Sequence, residues 1–356
     1  MSYFALLPVQ TISYYPHQKH IPARVTIVLK RWQFWLGAGI SALFLAFALR
    51  NLHLPDVWAA MRTARYAWIL PGVAVYFFNV WARTWRWDYL LRPIKRIPLR
   101  RLFPVVVIGY MGNNIFPVRA GEVIRVYLLR RREEISVSTS LATVLVERVF
   151  DGLVMLVFVF IALPFTPMPS WLQAMVVAAS LLFFGALGVF MTLAIKIEWA
   201  EAVYGWLIEH FVPARLRLPV RGFADRFMTG LRALRSGRAV LMLFVTSVVI
   251  WLAETVKYWL VMHAFDFSVP FWVLMLMNGI VNLATTIPSS PGYVGTFDAP
   301  GIEILTIFGV ERSIAASYTL VLHAALWLPI TLLGLWYMAR ESVSWREFAQ
   351  ATETVG

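Results

Sequence analysis

Charged residues within one apolar stretch have the types and spacing to bind an anion. Arg148 lies between two acids in V-E-R-V-F-D, residues 146–151, and Glu147 and Asp151 are four apart, which places them on one helix face. Charges inside a membrane helix cost a few kcal/mol each by insertion scales, so they need partners or a role. Two interpretations stay open. Arg148 binds an anionic group while Glu147 or Asp151, as proton-coupling residues, titrates or orients that group, or the three form an ion-pair network that only locks helices together.

A second set of charges follows a break in an apolar helix at G-N-N-I-F-P-V-R-A-G-E-V-I-R, residues 112–125. Pro117 and Gly121 are the predicted break. The helix resumes near Ala120, and free N–H groups at a helix N-terminus attract phosphate. Guanidinium groups match phosphate oxygens with a fixed fork of donors. The candidate substrate-binding residues here are Asn113, Asn114, Arg119, Glu122 and Arg125, with a structural cap as the alternative role of the asparagines.

A similar break occurs at N-L-A-T-T-I-P-S-S-P-G-Y-V-G-T-F-D, residues 282–298. Broken backbone at membrane depth is tolerated only when it is buried in protein or lines a wet cavity. Paired broken segments in corresponding halves of a membrane protein indicate a substrate site near the bilayer midplane. The predicted break residues are Pro288, Pro291, Gly292 and Gly295, and the candidate substrate-binding residues are Ser289, Ser290 and Asp298.

Other charges lie within apolar runs. Glu254 and Lys257 are three apart and are expected either to pair structurally or to belong to a proton path. His323 is either a proton carrier or a hydrogen-bonded core residue. Arg83 and Arg86, beside two tryptophans, suggest an anchor at the membrane interface.

Composition identifies an all-α polytopic membrane protein. The chain is 60% hydrophobic and only 14% charged, with a mean hydropathy of +0.69, whereas soluble domains carry about 25% charged residues. The net charge of +13 is typical of basic cytoplasmic loops facing anionic lipid rather than of nucleic-acid binding. The absence of cysteine excludes thiolate metal sites. No nucleotide-binding loop and no metal-binding motif occurs, so neither a cofactor nor a metal is expected.

The elements that must position these residues are six full spans and two re-entrant, broken-helix hairpins. About 20 apolar residues cross a bilayer as a helix. The hairpins are predicted at about 102–132 and 271–312. The spans are predicted at about 32–49, 67–91, 140–163, 171–195, 240–264 and 314–338.

The distribution of Lys and Arg predicts that both termini are cytoplasmic. With the hairpin arrangement, 24 basic residues fall on the cytoplasmic side and 4 outside, as the positive-inside rule requires. The location is then the inner, cytoplasmic membrane. The organisation is a cytoplasmic segment 1–31, a membrane domain 32–340 and a cytoplasmic tail 341–356.

The order of elements also predicts an inverted repeat. Residues 32–163 and 171–338 each read span, span, hairpin, span, and three crossings per half invert the second half. The connector 196–238 is cytoplasmic. Its basic, amphipathic part at 215–238 is expected to lie on anionic inner-leaflet lipid, with a solvated connector as the alternative.

Three motifs carry a family resemblance. N-N-I-F-P-V-R-A-G-E-V-I-R, then V-E-R-V-F-D, then P-S-S-P-G-Y-V-G-T-F-D, resemble the flippase-like membrane domain of lysylphosphatidylglycerol synthases over about 30–340. The chain looks like a stand-alone member without the family's aminoacyl-transferase half. The family pattern P-G-G-x-G-x-x-E reads here P-G-Y-V-G-T-F-D, so Tyr293 replaces a glycine and Asp298 a glutamate.

The resemblance implies a translocator of lipid, or a partner of an enzyme that makes lipid-linked products. Relatives are linked to aminoacylated phospholipids, hopanoids and polyprenyl-linked sugars. The expected function is therefore a flippase or scramblase of an anionic phospholipid or polyprenyl-linked lipid, working by alternating access between the hairpins. The alternatives are a membrane transferase with Glu122 or Asp298 as base, and an accessory subunit that recruits a lipid-modifying enzyme.

Overall fold

In the computed structural model all regular elements of the described part of the chain are helical, and these residues are 35, 38–46, 48, 50, 52–116, 120–165, 170–287, 289–341 and 343. Residues 38–46 are helical. The helices that follow are α1 Leu54–Thr63, α2 Ile69–Leu91, α3 Leu99–Ile115, α4 Ala120–Glu133, α5 Val137–Ala162, α6 Ser170–Ile195, α7 Ile197–Phe211, α8 Ala214–Gly230, α9 Gly237–Met262, α10 Phe271–Ala284, α11 Asp298–Ile307 and α12 Arg312–Arg340.

The long helices coincide with predicted spans. α2, α5, α6, α9 and α12 contain 23 to 29 residues, and at 1.5 Å per residue each is long enough for a hydrocarbon core of about 30 Å. Three of them, α6, α9 and α12, are also apolar enough to cross a membrane by composition. α2 and α5 instead carry buried charges. Of the predicted first span, residues 35, 38–46 and 48 are described, whereas the terminal segments lie largely outside the described residues.

Local sequence signals explain where several helices begin. Ser136 and Ser236 precede α5 and α9, and their hydroxyls accept the N–H of the residue three positions later. The Glu311 carboxylate accepts two N–H groups at the start of α12. Pro98 and Pro270 occupy the same N-cap position before α3 and α10, so the two predicted hairpins start in the same way.

The first hairpin is an antiparallel pair of helices, α3 and α4, in close backbone contact. A Cβ on Gly121 would lie 1.8 Å from the carbonyl oxygen of Gly109, and one on Gly112 would lie 3.0 Å from the Cα of Gly121. The open ends of the pair are joined by an ion pair of 2.9 Å between Lys95 and Glu133. The chain therefore returns to the end of the molecule from which it came.

The second hairpin is formed by α10 and α11. Gly301 of α11 lies against Met277 of α10, and the open ends meet where the rings of Trp272 and Phe308 approach to 5.2 Å between centroids. The turn between the helices, residues 285–297, includes a short 3-10 helix at Pro291–Tyr293.

The two hairpins enter the bundle from opposite ends. Lys95 and Glu133 lie at the same end as Arg132 and Glu341, which are paired at 3.0 Å, and we call this the basic end. The opposite end holds the contact between Arg65 and Asp266 at 3.1 Å, where α2 begins and α9 has ended. The open ends of the two hairpins therefore lie at opposite ends of the bundle.

Each hairpin packs on the half of the chain to which it does not belong. α3 packs on α12, where Gly334 lies against Met111, and α10 packs on α5, where Gly279 lies against Met155. The second long helices of the two halves, α2 and α9, pack on each other. These reciprocal contacts bring the two tips together.

The predicted amphipathic helix of the connector is two elements rather than one. α8 ends at Gly230, which lies against the carbonyl of Thr139, and a 3-10 helix follows over Leu231–Arg235. Leu231 and Leu234 are buried, whereas Phe223 is exposed. The prediction of one amphipathic segment over 215–238 that lies on lipid was therefore wrong at its C-terminal end, because Leu231 and Leu234 pack into the core.

Candidate substrate site between the hairpin tips

A cavity of about 140 Å³ lies between the two tips. α2, α3, α5, α9, α10 and α12 and the second tip contribute to its wall. Pockets for drug-sized ligands measure about 300–1,000 Å³, so this cavity accommodates a small polar group and no more. Its wall is aromatic and amidic as well as charged, with Tyr76, Tyr110, Trp251, Tyr293, Asn113 and Asn282 among its residues.

Arg86 is the centre of the charge cluster beside the cavity. It is 1% exposed, and its guanidinium donates to both oxygens of Asp151, at 2.5 and 3.1 Å, and to Ser247 at 2.6 Å. Its Nε lies 3.4 Å from Glu147. Arg86 therefore joins α2, α5 and α9 through one side chain. The prediction that it anchors the protein at the membrane interface was wrong, because its helix face is turned into the bundle.

Arg125 forms the second layer of the cluster. Its guanidinium donates to Glu147 at 2.5 Å, lies 2.9 Å from Glu122, and stacks over the ring of Trp87 at 4.5 Å. The Trp87 Nε1–H donates to Thr143 at 3.0 Å. Arg125 is 4% exposed and lies behind the cavity wall, where it ties the first hairpin to α5.

Arg148 and Arg83 differ from these two because they line the cavity. Arg148 lies 3.1 Å from Asp151 and 3.6 Å from Glu122, and its side chain is 25% exposed. Arg83 lies 3.6 Å from Asp151 and 4.6 Å above the ring of Trp251. Asp151 also accepts the indole N–H of Trp251 at 2.9 Å. Asp151 is thus held from several sides and does not depend on Arg148.

The cluster has more cations than anions. It contains four arginines and three carboxylates: Arg83, Arg86, Arg125, Arg148, Glu122, Glu147 and Asp151. When all are ionised the cluster carries one net positive charge. Because two of the arginines form the cavity wall, the excess is presented where a ligand group can reach it.

Glu254 and Lys257 form the pair that their spacing predicts. Lys257 donates to Glu254, both are buried, and Asn79 donates to the other carboxylate oxygen at 2.5 Å. Glu254 lines the cavity. The Lys257 ammonium also lies 4.7 Å from the ring centroid of Tyr76.

The second tip has a backbone that favours glycine. Gly292 and Gly295 have φ of 72° and 83°, and Tyr293 adopts φ 61°. Non-glycine residues rarely adopt this region. A Cβ on Gly295 would lie 2.7 Å from the carbonyl of Ser41, and the Ser41 hydroxyl donates to Ser290 at 2.8 Å. The helix at 38–46 therefore packs on the second tip, and Ser289 and Ser290 lie away from the cavity.

His323 and Asp298 connect the second hairpin to α12. The Nδ1 of His323 lies 2.8 Å from the Asp298 carboxylate, and its Nε2 lies 2.7 Å from the carbonyl oxygen of Gly292. The other Asp298 oxygen accepts the N–H of Gly295 at 2.9 Å. His323 lines the cavity, whereas Asp298 is 2% exposed behind it.

The first tip contacts α12 just beside this point. The Asn114 side chain donates to the carbonyl of Trp327 at 3.1 Å and to Thr331 at 2.9 Å, and the Trp327 indole donates back to the carbonyl of Asn114 at 3.3 Å. Gly292 of the second tip lies against the same indole. Trp327 is thus the point where both tips meet α12.

The structure brings most of the predicted residues to this region. Asn113, Asn114, Arg148, Glu254 and Gly292 line the cavity. Glu147 and Asp151 lie in the adjoining charge cluster. Pro117, Arg119 and Pro288 lie outside the described residues. Sequence reasoning missed a polar stripe on α2, whose spacing of three and four residues indicates one helix face: Tyr76, Asn79, Arg83 and Arg86.

Residues 34–334 match the family described as the lysylphosphatidylglycerol synthase TM region. The chain belongs to this family. A UPF0104 membrane protein of Methanothermobacter thermautotrophicus is 25% identical over 311 residues, which are 83% of this chain and 92% of that one. A second UPF0104 membrane protein of the same organism is 25% identical over 288 residues, 75% of this chain and 82% of that one.

One relative carries the name of an enzyme. The glycosyltransferase AglD of Haloferax volcanii is 26% identical over 346 residues, which are 88% of this chain but 54% of that protein. The chain thus spans about half the length of that relative. The comparison with solved structures found no match to this chain, residues 1–356.

Proposed function

We propose that this membrane protein translocates an anionic lipid, with the headgroup passing through the cavity between the two hairpin tips. The observation that carries the proposal is the excess of arginine over carboxylate at this cavity. A guanidinium binds phosphate oxygens in a bidentate geometry that few other groups match. Anionic phospholipids and polyprenyl phosphates both supply such oxygens.

Unpartnered polar atoms at the cavity support a ligand there. Within the described residues the Arg148 Nε, the Tyr110 hydroxyl and the Asn113 Oδ1 have no hydrogen-bond partner. A buried polar group left unpaired costs about 1–3 kcal/mol, so such groups are normally satisfied by ligand or water. Two of the three are donors, as an anionic group requires.

The arrangement of the hairpins supports a midplane site with inverted halves. Their open ends lie at opposite ends of the molecule, and each tip reaches the same indole, that of Trp327. We place the basic end at the cytoplasmic face, with six spans and both termini inside. We infer that alternating access comes from movement of the tips against α5 and α12, on which the hairpins pack.

The lipid-transport proposal predicts that Arg148→Ala folds but fails to move lipid. In this variant Asp151 loses its contact with Arg148 but keeps both hydrogen bonds from Arg86 and the one from Trp251. No buried acid is therefore left without a partner. A lost charged hydrogen bond costs about 1.5–3 kcal/mol, which corresponds to a transport rate lower by about tenfold or more. The measurement is dithionite quenching of labelled anionic phospholipid or polyprenyl phosphate in proteoliposomes.

Arg148→Lys should recover only part of that rate, because a point charge replaces a planar fork. Arg62→Ala, at an exposed arginine in the last turn of α1, is the matched control and should transport normally. Wild-type protein that moves neither lipid class faster than empty vesicles would overturn the proposal. Normal transport by Arg148→Ala would remove this residue from it.

The proposed membrane placement predicts from which side of the membrane single introduced cysteines can be labelled. Because the chain lacks cysteine, each introduced cysteine gives the only thiol signal. Cysteines at Arg96, Arg130 and Arg235 should react only from the cytoplasm, and those at Arg62 and Ser268 only from outside. All five positions are exposed. The assay is blocking by an impermeant maleimide in oriented vesicles. Reaction of position 130 from outside would mean that the first hairpin crosses the membrane fully.

A second candidate, a membrane glycosyltransferase, is favoured by the name of the Haloferax volcanii relative. As catalytic base it would use Glu122, which lies between Arg125 and Arg148, or Asp298. Purified protein that transfers sugar from a nucleotide sugar to a polyprenyl phosphate, and loses this activity in Glu122→Gln, would decide for it. Sugar-independent lipid movement would decide against it.

A further inference from the structure

We infer that His323 and Asp298 together form a proton-binding site that latches the tip of the second hairpin to α12. The inference begins from the partners of the imidazole ring. Both ring nitrogens face oxygens, the Nδ1 that of Asp298 at 2.8 Å and the Nε2 that of Gly292 at 2.7 Å.

A carbonyl oxygen accepts hydrogen bonds and cannot donate them. The Nε2 must therefore carry hydrogen to bond Gly292. In a neutral imidazole the Nδ1 would then be an acceptor facing a carboxylate, which is also only an acceptor. The observed geometry thus needs one proton more than a neutral imidazole and a carboxylate hold. The other carboxylate oxygen accepts the N–H of Gly295 at 2.9 Å, which suits an ionised Asp298 and a doubly protonated His323.

The site is placed where a proton can reach it and where its loss has a mechanical effect. The His323 side chain is 13% exposed and lines the cavity. Loss of the proton leaves either the Gly292 carbonyl or the Asp298 carboxylate facing a lone pair. Gly292 also lies against Trp327, which holds Asn114 of the first tip. Release of the latch therefore loosens the contact between both tips.

Other titratable groups face the same cavity and set the local field. They come from α2, α3, α5, α9 and the second tip, and they are Tyr76, Arg83, Tyr110, Arg148, Glu254, Tyr258 and Tyr293. His323, on α12, differs from the other groups in this set because both of its ring nitrogens contact acceptors of the second hairpin, the Asp298 carboxylate and the Gly292 carbonyl. For transport, this means that the proton must leave before the two tips can separate. That consequence rests on the proposed function.

The test reads the tip directly and does not depend on lipid transport. A nitroxide on a cysteine at Val294, which is 40% exposed in the second tip, reports tip mobility by electron paramagnetic resonance in nanodiscs. Between about pH 5 and 9, where histidine titrates, the mobile fraction should rise at least twofold with pH. A label at Leu332, exposed on α12, should not respond.

Two variants make the test specific. Asp298→Asn keeps the shape, and its amide can accept from Gly295 while donating to a neutral Nδ1, so the tip should stay immobile at every pH. His323→Gln carries no titratable group, so its tip mobility should not change with pH. His263→Gln, at a histidine whose Nδ1 faces the carbonyl of Trp259 and whose ring packs on Trp68 and Trp259, should show the same change of tip mobility with pH as the wild type.

Wild-type mobility that does not change with pH would overturn the proton site, as would an unchanged transition in His323→Gln or in Asp298→Asn. A pH-dependent tip in a protein that moves no lipid would support the proton site and count against the transport function alone.

Discussion

Replacing Arg86 with Met is expected to destabilise the folded protein by about 3–5 kcal/mol, the range for breaking a buried ion pair. Arg86 is 1% exposed and bonds both oxygens of Asp151, and it lies 3.4 Å from Glu147. Without it, the cluster has three arginines for three acids, and the side chain that joined α2, α5 and α9 is missing. Thermal unfolding in detergent, followed by size-exclusion recovery, measures the loss.

The matched control lies six residues further along the chain. Arg92 also pairs with an acid, Asp88 at 2.8 Å, but its side chain is 42% exposed, and exposed pairs contribute about 0–1 kcal/mol. Arg92→Met should therefore unfold close to wild type. Adding Asp151→Asn to Arg86→Met should restore part of the stability, because Asp151 is the acid that Arg86 bonds through both oxygens, and three arginines with two acids again carry one net positive charge. Equal stability of the two methionine variants would show that the cluster does not hold the helices together.

Gly121→Ala should separate the two helices of the first hairpin. Its Cβ would lie 1.8 Å from the Gly109 carbonyl oxygen and 2.7 Å from the Asn113 backbone nitrogen, so only a shift of the backbone can make room. Overpacking in a core costs about 1–3 kcal/mol and occasionally more, and contact with backbone places this variant at or above the upper value. Asn113 lines the cavity, so lipid movement should fall as well.

Gly185→Ala is the control for this substitution. Gly185 lies within α6, and a Cβ there would meet nothing within 4 Å. Alanine is favoured over glycine in a helix by about 1 kcal/mol, so this variant should be slightly more stable than wild type. A melting temperature of Gly121→Ala equal to that of Gly185→Ala would contradict the close packing of α3 on α4.

Features carried by local spacing could be predicted from the sequence. The long helices follow apolar runs, and the pairing of Glu254 with Lys257 follows from a separation of three residues on one helix. The shared face of Glu147 and Asp151 follows in the same way, and Arg86 contacts both.

Contacts between distant elements could not be predicted in this way. Arg86 binds Asp151 across 65 residues, and Trp251 binds the same acid across 100 residues. Two arginines beside tryptophans near the end of a span fit an interfacial anchor and a buried cluster equally well. The two roles differ in whether the arginine-bearing face of α2 points to the membrane interface or into the bundle. The packing of neighbouring helices decides this, and it cannot be read from local spacing. His323 is similar, because its role depends on the Gly292 carbonyl 31 residues away.

The packing of each hairpin on the other half has a consequence for biosynthesis. The contacts of Asn114 with Trp327 and Thr331 join residues 213 and 217 positions apart, and contacts of high sequence separation form late and slowly. The first hairpin cannot reach its final surroundings until α12 has left the ribosome. Asn114 must therefore remain without these two partners while most of the chain is still being made.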